Sequence, residues 1–398
     1  MSSVSLRSGR LCMVVHGPFP PDPRVSRAVA VAVAQGWEVD VLATRQPGQP
    51  AVERVDGARV LRLPIVHRWG AGARAIVREY LGFTVLASAR VARLMARRRY
   101  DVVHIHTPPD FLVVSALLPR LLGARVVLDI HDLSPDMFAM RFGGRRGSRF
   151  ADSVLRRVER LAARFADEVL TVHEPYRREL AGRGVPPDKL TVVMNTVDER
   201  LLPPVRTPPS EDAFRVVYQG TITPPYGVHL VVAAVAEIEP AMQLEIYGDG
   251  DSLETIMSLA ASLGIADRVR FSGRFLPQAE VLDRIQRASV GVIPNLPTPL
   301  NRFALSTKLF EYVVLGIPVV CADLPTIREH FDESELLFFR AGDADALTAA
   351  LLETRRDPEA ATLRARSALA TYEPYRWNLQ AARYARVLER SSKRDRTR

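Results

Sequence analysis

The sequence predicts an α/β fold made of two doubly wound domains, each with a parallel sheet covered by helices on both faces. Short, nearly continuous apolar runs alternate with helical stretches along the 398 residues, as expected for parallel strands buried on both faces. This alternation lapses once, over 201–213, where prolines cluster, and then resumes. An apolar fraction of 47% is sufficient for two buried cores.

The first domain is expected over residues 1–200. Its helices are predicted at 24–35, 111–122 and 153–165, where apolar residues recur at helical spacing. Its strands are predicted at 11–15, 39–43, 102–106, 125–130, 169–172 and 190–193. These strands form the sheet of the first domain.

A stiff linker at 201–213 is expected to lead into a second domain at 214–374. Strands are predicted there at 214–218, 243–247, 269–271, 290–293, 319–322 and 336–339. A helix at 375–390 and a basic tail at 391–398 follow. Because ligands of such sheets bind beyond the carboxyl ends of the strands, we expect two domains that face a central cleft.

Positive charge is concentrated in the first half of the chain. The formal net charge is +9: residues 1–200 hold 31 basic against 20 acidic residues (+11), and residues 201–398 hold 23 against 25 (−2). No apolar run reaches the length of a membrane span, so a cytoplasmic protein is expected. Cys12 and Cys321 fall in predicted strands of different halves, which argues against a disulfide framework and a zinc site.

The segment around Lys308 has the composition of a phosphate-binding helix start. Lys308, one of three lysines in the chain, follows Ser306 and Thr307 where a helix is predicted to begin. A helix N-terminus offers unbonded N–H groups and a positive dipole end to an anion. Glu311, one turn later on the same face, would repel a diphosphate and is better suited to sugar hydroxyls. The pattern indicates a nucleotide site, and an ordinary surface helix with a Lys–Glu pair is the alternative.

The chain resembles the glycosyltransferases of family 4, which have the GT-B fold. The resemblance runs from about Leu11 to the final helix and rests on short motifs in the family's order. Examples are Ile130-His131-Asp132 and Tyr218-Gln219-Gly220-Thr221. The full set of matching stretches is 24–27 with 36–39, 100–106, 130–132, 166–169, 195–198, 218–221, 244–250, 269–273 and 308–318.

The resemblance implies a metal-independent enzyme without a cofactor that transfers a sugar from a nucleoside diphosphate donor with retention at the anomeric carbon. The donor would lie on the second domain, with Lys308 on the diphosphate and Glu311 on the ribose. Fixed donors at that position would stabilise the charge left on the diphosphate. The other donor-binding residues expected are Gly17, Gly220, Thr221, Ser306, Thr307 and Leu309.

The resemblance also implies that the first domain binds the acceptor, a glycan or a lipid-linked molecule of cell-envelope polysaccharide or glycolipid synthesis. His131, at the end of a first-domain strand, is expected to act with Lys308 in catalysis by reaching the transferred sugar or the acceptor. His16, Arg24 and Asp132 are expected on the acceptor side. The last helix of GT-B proteins commonly crosses back to the first domain, and we expect the same of 375–390.

Two departures from the family pattern bear on the donor site. Members often carry two glutamates eight positions apart, the later one matching Glu311, but the earlier position here is Phe303. A basic residue usually precedes a glycine at the position of Gly227, and it is missing here. Arg274 or Arg302 has the charge to compensate. The alternatives are a non-catalytic partner that binds a nucleotide or glycan, and a nucleotide-sugar epimerase.

Two patterns resemble metal sites but have simpler interpretations. Asp249 and Asp251 flank a glycine in a turn, where Asp serves as turn former and helix cap. His104 and His106 alternate on one strand with a spacing that suits metal ligands, yet such histidines are more often hydrogen-bonded to backbone. We therefore predict no metal site.

The helix predicted over 73–99 is amphipathic and basic. Arg90, Arg93 and Arg97 share one of its faces, and Val85 widens its apolar face. Such a helix can lie on an anionic membrane surface, so peripheral contact with the inner face of the cell membrane is expected. A solvated charged face on a core helix is the alternative. Nucleic acid is not an expected partner, because aromatic residues do not alternate with the arginines.

Overall fold

The computed structural model describes residues 9–66, 72–142, 148–203, 214–238, 242–299 and 301–393. The chain forms two compact units: unit 1 consists of Met1–Asn195 with Asn378–Arg398, and unit 2 consists of Thr196–Trp377. Most of the predicted linker, 204–213, and the end of the predicted tail, 394–398, lie outside the described residues.

Unit 1 contains an eight-stranded sheet of order β3-β4-β2-β1-β5-β6-β7-β8, in which all neighbours are parallel except β3 and β4. The strands are β1 (Arg10–Val15), β2 (Glu38–Thr44), β3 (Val52–Val55), β4 (Ala58–Leu63), β5 (Val102–Thr107), β6 (Arg125–Ile130), β7 (Glu168–Thr171) and β8 (Leu190–Val192). The strand order reverses direction between β1 and β5, which is where such sheets bind ligands.

The hairpin β3–β4 is the part of the sheet that the sequence analysis missed. Its turn residues Asp56 and Gly57 both have positive φ, 50° and 82°, as a two-residue hairpin turn requires. The Asp-Gly dipeptide was the available signal. The alternation of exposed and half-buried residues on β3 marks an edge strand rather than a buried one, so its apolar signal is weak.

The helices of unit 1 are α1 (Pro23–Ala34), α2 (Ala73–Arg97), α3 (Leu117–Leu121), α4 (Ser134–Phe142), α5 (Ser148–Phe165), α6 (Glu174–Gly182) and the C-terminal helix α14 (Trp377–Lys393), whose first residue belongs to unit 2. The helix predicted over 111–122 is instead a 3₁₀ segment, Asp110–Ala116, followed by α3. Pro119 explains the break, because it lacks the N–H that a continuous α-helix needs for the carbonyl of Ser115.

The C-terminal helix α14 packs on unit 1. Tyr384, Val387 and Leu388 are buried in one apolar cluster with residues of β1, β2 and α1. The side-chain oxygen of Gln380 accepts a hydrogen bond from the N–H of Met194 at 3.1 Å. The chain therefore contributes its last helix to the same core as its first strand.

Unit 2 contains a six-stranded, fully parallel sheet of order β11-β10-β9-β12-β13-β14. The strands are β9 (Phe214–Gln219), β10 (Met242–Tyr247), β11 (Val269–Phe271), β12 (Val290–Ile293), β13 (Val319–Ala322) and β14 (Leu337–Phe339). This is the doubly wound strand order of dinucleotide-binding domains, with its switch point between β9 and β12. The predicted α/β class with two doubly wound sheets is confirmed.

The helices of unit 2 are α7 (Val228–Ala236), α8 (Leu253–Ser262), α9 (Gln278–Ile285), α10 (Thr307–Val314), α11 (Pro325–Arg328), α12 (Ala344–Arg356) and α13 (Pro358–Tyr372). Residues 196–203 also belong to this unit: Glu199 accepts hydrogen bonds from the Tyr372 hydroxyl and the Trp377 N–H, both at 3.1 Å. Cys12 and Cys321 are buried free thiols. Within the described ranges, no helix is both long enough and apolar enough to cross a membrane.

Candidate functional site

The switch point of unit 2 brings the start of α10 to the end of β9. Strand β9 ends at Gln219, and Gly220 follows with φ 116°, a conformation that favours glycine. A Cβ atom on Gly220 would lie 3.3 Å from the Nζ atom of Lys308. The fold therefore places Gly220, Thr221 and Lys308 together, although the lysine is separated from them by more than 80 residues.

Lys308 is the second residue of α10 and is almost fully buried. Its Nζ atom donates a hydrogen bond to the Tyr218 hydroxyl at 3.1 Å and lies 4.2 Å from the centre of the Tyr218 ring. The Tyr218 hydroxyl in turn donates to the carbonyl of Thr221 at 2.6 Å. Burial lowers the pKa of Lys308 to about 7, although the Glu311 carboxylate acts in the opposite direction. No carboxylate forms a salt bridge with Lys308 in the part of the chain that the structure describes, so this buried ammonium has only neutral direct partners.

Tyr226 occupies the position where the resemblance leads one to expect a basic residue. The centre of its ring lies 5.1 Å from Nζ of Lys308, which is the distance of a cation–π contact. A second cation at this position would repel Lys308, whereas the aromatic face attracts it. Gly227 follows with φ 68°, and a Cβ atom there would lie 2.0 Å from the carbonyl oxygen of Pro294.

Glu311 is buried one turn after Lys308, and two amides hold its carboxylate. Gln219 and Gln278 both donate to it through their side-chain nitrogens, Gln278 at 2.8 Å. A carboxylate can accept about four hydrogen bonds, so it is suited to bind several donors at once, sugar hydroxyls among them. Sequence reasoning missed both glutamines. The one available signal was a polar residue at the end of β9.

The remaining residues predicted at the donor site lie in varied surroundings. Ser306 and Thr307 are half-buried at the start of α10. Leu309 is fully buried and its N–H donates to the Ser306 carbonyl at 3.0 Å, so it anchors α10 in the core. Arg302 is exposed, with its guanidinium 4.3 Å from the centre of the Phe303 ring, and Arg274 is also exposed. No contact of either arginine with Lys308 is found among the described residues.

Asn295, just beyond β12, is a further candidate that the sequence did not single out as a side chain. It is 1% exposed, and neither its amide nitrogen nor its amide oxygen has a hydrogen-bond partner within the ranges that the structure describes. A buried amide without partners is costly unless something satisfies it. Because Asn295 lies at the switch point beside β9, a ligand bound there is one group that would satisfy its amide.

In unit 1, a network of histidines surrounds Asp129 at the carboxyl end of β6. The Nε2 atom of His131 lies 3.2 Å from Oδ2 of Asp129 and 3.1 Å from Nδ1 of His106. The Nδ1 atom of His104 lies 2.9 Å from the Tyr384 hydroxyl. Burial lowers the pKa of His104 and of His106, so both are neutral near pH 7. His131 is half-buried and is the member of this network with access to solvent.

Arg24, which was predicted on the acceptor side, is buried and belongs to this network. Its guanidinium donates to both oxygens of Asp129, at 2.9 and 2.6 Å, and to the carbonyl of Val193 at 2.8 Å. Burial alone would raise the pKa of Asp129, but Arg24 and His131 hold it well below its usual range. The sequence spacing did not reveal this pairing, because Arg24 and Asp129 are far apart in the chain.

His104, His106 and Asp129 have their ligand-type atoms within 4.8 Å of one another, the spacing of a metal site. Both oxygens of Asp129 already bond to the guanidinium of Arg24. A metal ion on this carboxylate would therefore meet a fixed positive charge at close range. We assign the cluster to a hydrogen-bonded network rather than to a metal centre.

His16 and Gly17 follow β1, and Asp132 follows His131. The side chain of His16 is covered: its Nε2 atom lies 3.0 Å from Oε1 of Glu79 on α2. The acceptor-side role of His16 stays a prediction. A Cβ atom on Gly17 would meet only a methyl group of Val15, at 3.8 Å. Asp132 is half-buried, and burial raises its pKa.

Comparisons with known proteins agree with this architecture. The family model "Glycosyl transferase 4-like domain" matches residues 21–196, and "Glycosyl transferases group 1" matches residues 213–357. The two matches fall on unit 1 and unit 2. The chain belongs to the family 4 type of GT-B glycosyltransferases and is a glycosyltransferase enzyme.

Curated relatives are also glycosyltransferases. The chain is 26% identical over 398 residues to phosphatidyl-myo-inositol mannosyltransferase of Mycobacterium leprae, covering 96% of each chain. It is 27% identical over 360 residues to 2-deoxystreptamine N-acetyl-D-glucosaminyltransferase of Streptomyces fradiae, covering 84% of this chain and 82% of that one.

Solved structures share the fold at lower identity. Sucrose-phosphate synthase from Thermosynechococcus elongatus is 19% identical, with a TM-score of 0.77 over 96% of this chain and 99% of that one. Anabaena HepE in complex with UDP-glucose is 15% identical, with a TM-score of 0.71 over 96% of this chain and 100% of that one.

Proposed function

We propose that this protein is a retaining, metal-independent glycosyltransferase. It moves a sugar from a nucleoside diphosphate to a glycan or lipid-linked acceptor in cell-envelope polysaccharide or glycolipid synthesis. The observation that carries the proposal is the buried ammonium of Lys308, which lies at the switch point of unit 2 and forms no salt bridge with a carboxylate of the described residues. A buried cation of this kind is costly by itself and is offset when an anion binds.

Lys308 and the start of α10 supply the positive charge that a diphosphate needs. Breaking the bond between the anomeric carbon and the diphosphate leaves the electron pair on a phosphate oxygen. The Lys308 ammonium and the N-terminal amide groups of α10 are fixed hydrogen-bond donors to that negative charge, so they need little rearrangement as it develops. Glu311, held by Gln219 and Gln278, accepts hydrogen bonds from the ribose hydroxyls.

We assign the transferred sugar or the acceptor to His131 and Asp132 on unit 1. Asp129 and His106 fix the ring orientation of His131 through one of its nitrogens, which leaves the other nitrogen for a ligand. The names of the relatives support acceptors of this kind: one is a phosphatidyl-myo-inositol mannosyltransferase and another a lipopolysaccharide core glycosyltransferase.

The test is transfer and donor hydrolysis with a panel of UDP-, GDP- and ADP-sugars, comparing the wild type with Lys308→Ala. Loss of one fixed hydrogen-bond donor to the negative charge that develops on the diphosphate should lower turnover on the order of 10²-fold or more. Equal activity in the two proteins would remove Lys308 from the mechanism.

The second candidate is a non-catalytic partner that binds a nucleotide or glycan at the same site. The observation that favours it is Tyr226, an aromatic residue at the position of the expected basic one. Calorimetry with the same nucleotide sugars separates the two candidates. Binding without turnover across several acceptors would favour the partner protein.

A further inference from the structure

Helices α2, α3 and α5 of unit 1 form one layer on a single face of the sheet. They connect β4 to β5, β5 to β6 and β6 to β7, which are steps in the same direction across the sheet. Because such crossovers are right-handed, all three helices lie on the same face. Both α2 and α5 also pack against the 3₁₀ segment Asp110–Ala116 that leads into α3.

The outer surface of this layer exposes apolar side chains from each of the three helices. On α2, Val77, Leu81 and Val85 recur every fourth residue, so they form one exposed stripe. Leu121 on α3 is 74% exposed, and Phe150 on α5 is 77% exposed. These side chains add to the apolar residues that the same helices already bury, so packing against the sheet does not account for them.

The exposed charges on these helices have one sign. Arg74, Arg78, Arg93 and Arg97 are exposed on α2, and Arg149 and Arg157 are among the exposed arginines of α5. Within the described residues, α2, α3 and α5 expose no carboxylate. Their acidic residues are already engaged: Asp152 pairs with Arg156 at 2.9 Å, and Glu159 is buried against Arg183.

We propose that this outer surface of α2, α3 and α5 docks on an anionic lipid bilayer. Aliphatic and phenylalanine side chains between arginines fit the boundary between acyl chains and headgroups, where the arginines meet lipid phosphates. Nucleic acid explains the arginines but leaves the exposed aliphatic stripe without a role. The exposed residues that form this surface are not among those assigned to the ligand, so the inference does not depend on the proposed sugar transfer.

Co-sedimentation of the full-length protein with vesicles tests the proposal. One set of vesicles contains phosphatidylcholine alone, and the other contains phosphatidylcholine with phosphatidylglycerol. The protein should bind the anionic vesicles far better, and the binding should weaken as salt is added. Since each arginine near an anionic surface contributes about fivefold, Arg78→Gln with Arg157→Gln should lower the partition coefficient about 25-fold.

The apolar stripe is tested by Val85→Ser with Leu121→Ser, which should also lower the partition coefficient. The matched control is Leu363→Ser with Arg366→Gln on α13 of unit 2, where both residues are exposed, and it should bind like the wild type. Because the substituted side chains are exposed, all variants should keep the wild-type thermal transition, which circular dichroism checks.

Three results would overturn the proposal. The first is equal binding to both vesicle compositions, or to neither. The second is a control variant that loses as much binding as the arginine variant. The third is binding to a single-stranded oligonucleotide that the arginine variant abolishes, in the absence of vesicle binding, which would make the surface a nucleic-acid interface.

Discussion

Units 1 and 2 each bury a cation at the second residue of a helix, and they compensate for it in opposite ways. Arg24 on α1 is 7% exposed and Lys308 on α10 is 8% exposed. The helix dipole disfavours a cation at both positions. Arg24 donates to both oxygens of Asp129, whereas Lys308 contacts the hydroxyl and ring of Tyr218.

The difference distinguishes a cation that is neutralised within the fold, Arg24, from one that has no salt bridge among the described residues, Lys308. The Arg24–Asp129 pair is neutral as a whole, so unit 1 keeps it buried without help from a ligand. Lys308 has no salt-bridge partner among the described residues, and burial lowers its pKa although the Glu311 carboxylate acts in the opposite direction. Burial alone therefore does not identify a functional cation, and the identity of its partner does.

The largest expected effect is the loss of stability in Arg24→Met. Removing one partner of a buried ion pair leaves Asp129 uncompensated, so the variant should lose about 3–5 kcal/mol of unfolding free energy. Chemical denaturation of the full-length protein measures the change. A variant with wild-type stability would mean that Arg24 does not hold unit 1 together.

Lys308→Met, unlike Arg24→Met, should lower activity without lowering stability. Removing a buried ammonium that has only neutral direct partners should leave the unfolding free energy unchanged or raise it. Turnover should fall on the order of 10²-fold, because a donor to the leaving diphosphate is lost. Denaturation and donor hydrolysis are measured on the same preparation. A large loss of stability with normal turnover would show that Lys308 supports the fold rather than the reaction, contrary to the comparison above.

Substitutions of two glycines distinguish a position required for stability from one required for donor binding. Gly227→Ala should cost at least about 1–2 kcal/mol of stability, because φ is 68° and its Cβ would meet the Pro294 carbonyl at 2.0 Å. Gly17→Ala meets only a methyl group at 3.8 Å, so its stability should stay at the wild-type value. If the backbone of Gly17 approaches the donor, transfer falls in this variant although the fold is intact. Normal transfer in Gly17→Ala would remove Gly17 from the donor site.

The smallest expected effect is on the pH dependence of donor binding. The ammonium of Lys308 binds an anion better than the neutral amine, and its pKa in the free protein is about 7. Donor affinity should therefore be constant below that pH and fall up to about tenfold per pH unit above it. Calorimetry should use a nucleotide sugar, whose diphosphate has no ionisation near neutral pH. Lys308→Met should bind more weakly with a flat profile, and a flat profile in the wild type would contradict the prediction.

Much of the fold could be predicted because strands and helices leave local patterns. The predicted strands at 125–130, 269–271, 290–293 and 319–322 coincide with β6, β11, β12 and β13. Strands β6, β12 and β13 are short, mostly apolar runs buried on both faces, so their composition alone marks them, whereas the edge strand β11 is only partly buried. Strand β3 was missed because an edge strand is half solvated, and β4 because Arg59 and Arg62 interrupt its buried apolar residues.

The candidate site was predictable only in part. Lys308 was predicted as a site residue because its signal is local: a lone lysine at a helix start. Tyr218 and Gln278 were not found, because they reach Lys308 and Glu311 through contacts between residues far apart in sequence. His16 and Arg24 were placed on the acceptor side without their partners Glu79 and Asp129, because local motifs do not reveal which distant carboxylates pair with them.

The amino-acid sequence by itself determined the periodicity of the elements, the division into two doubly wound domains and the start of the helix that carries Lys308. Those features depend on neighbours within about one turn or one strand. Only the tertiary structure decided which buried charges are neutralised and which helices share an exposed basic and apolar surface. Both depend on which distant segments the parallel sheets bring together, and burial then multiplies the energetic effect of every such contact.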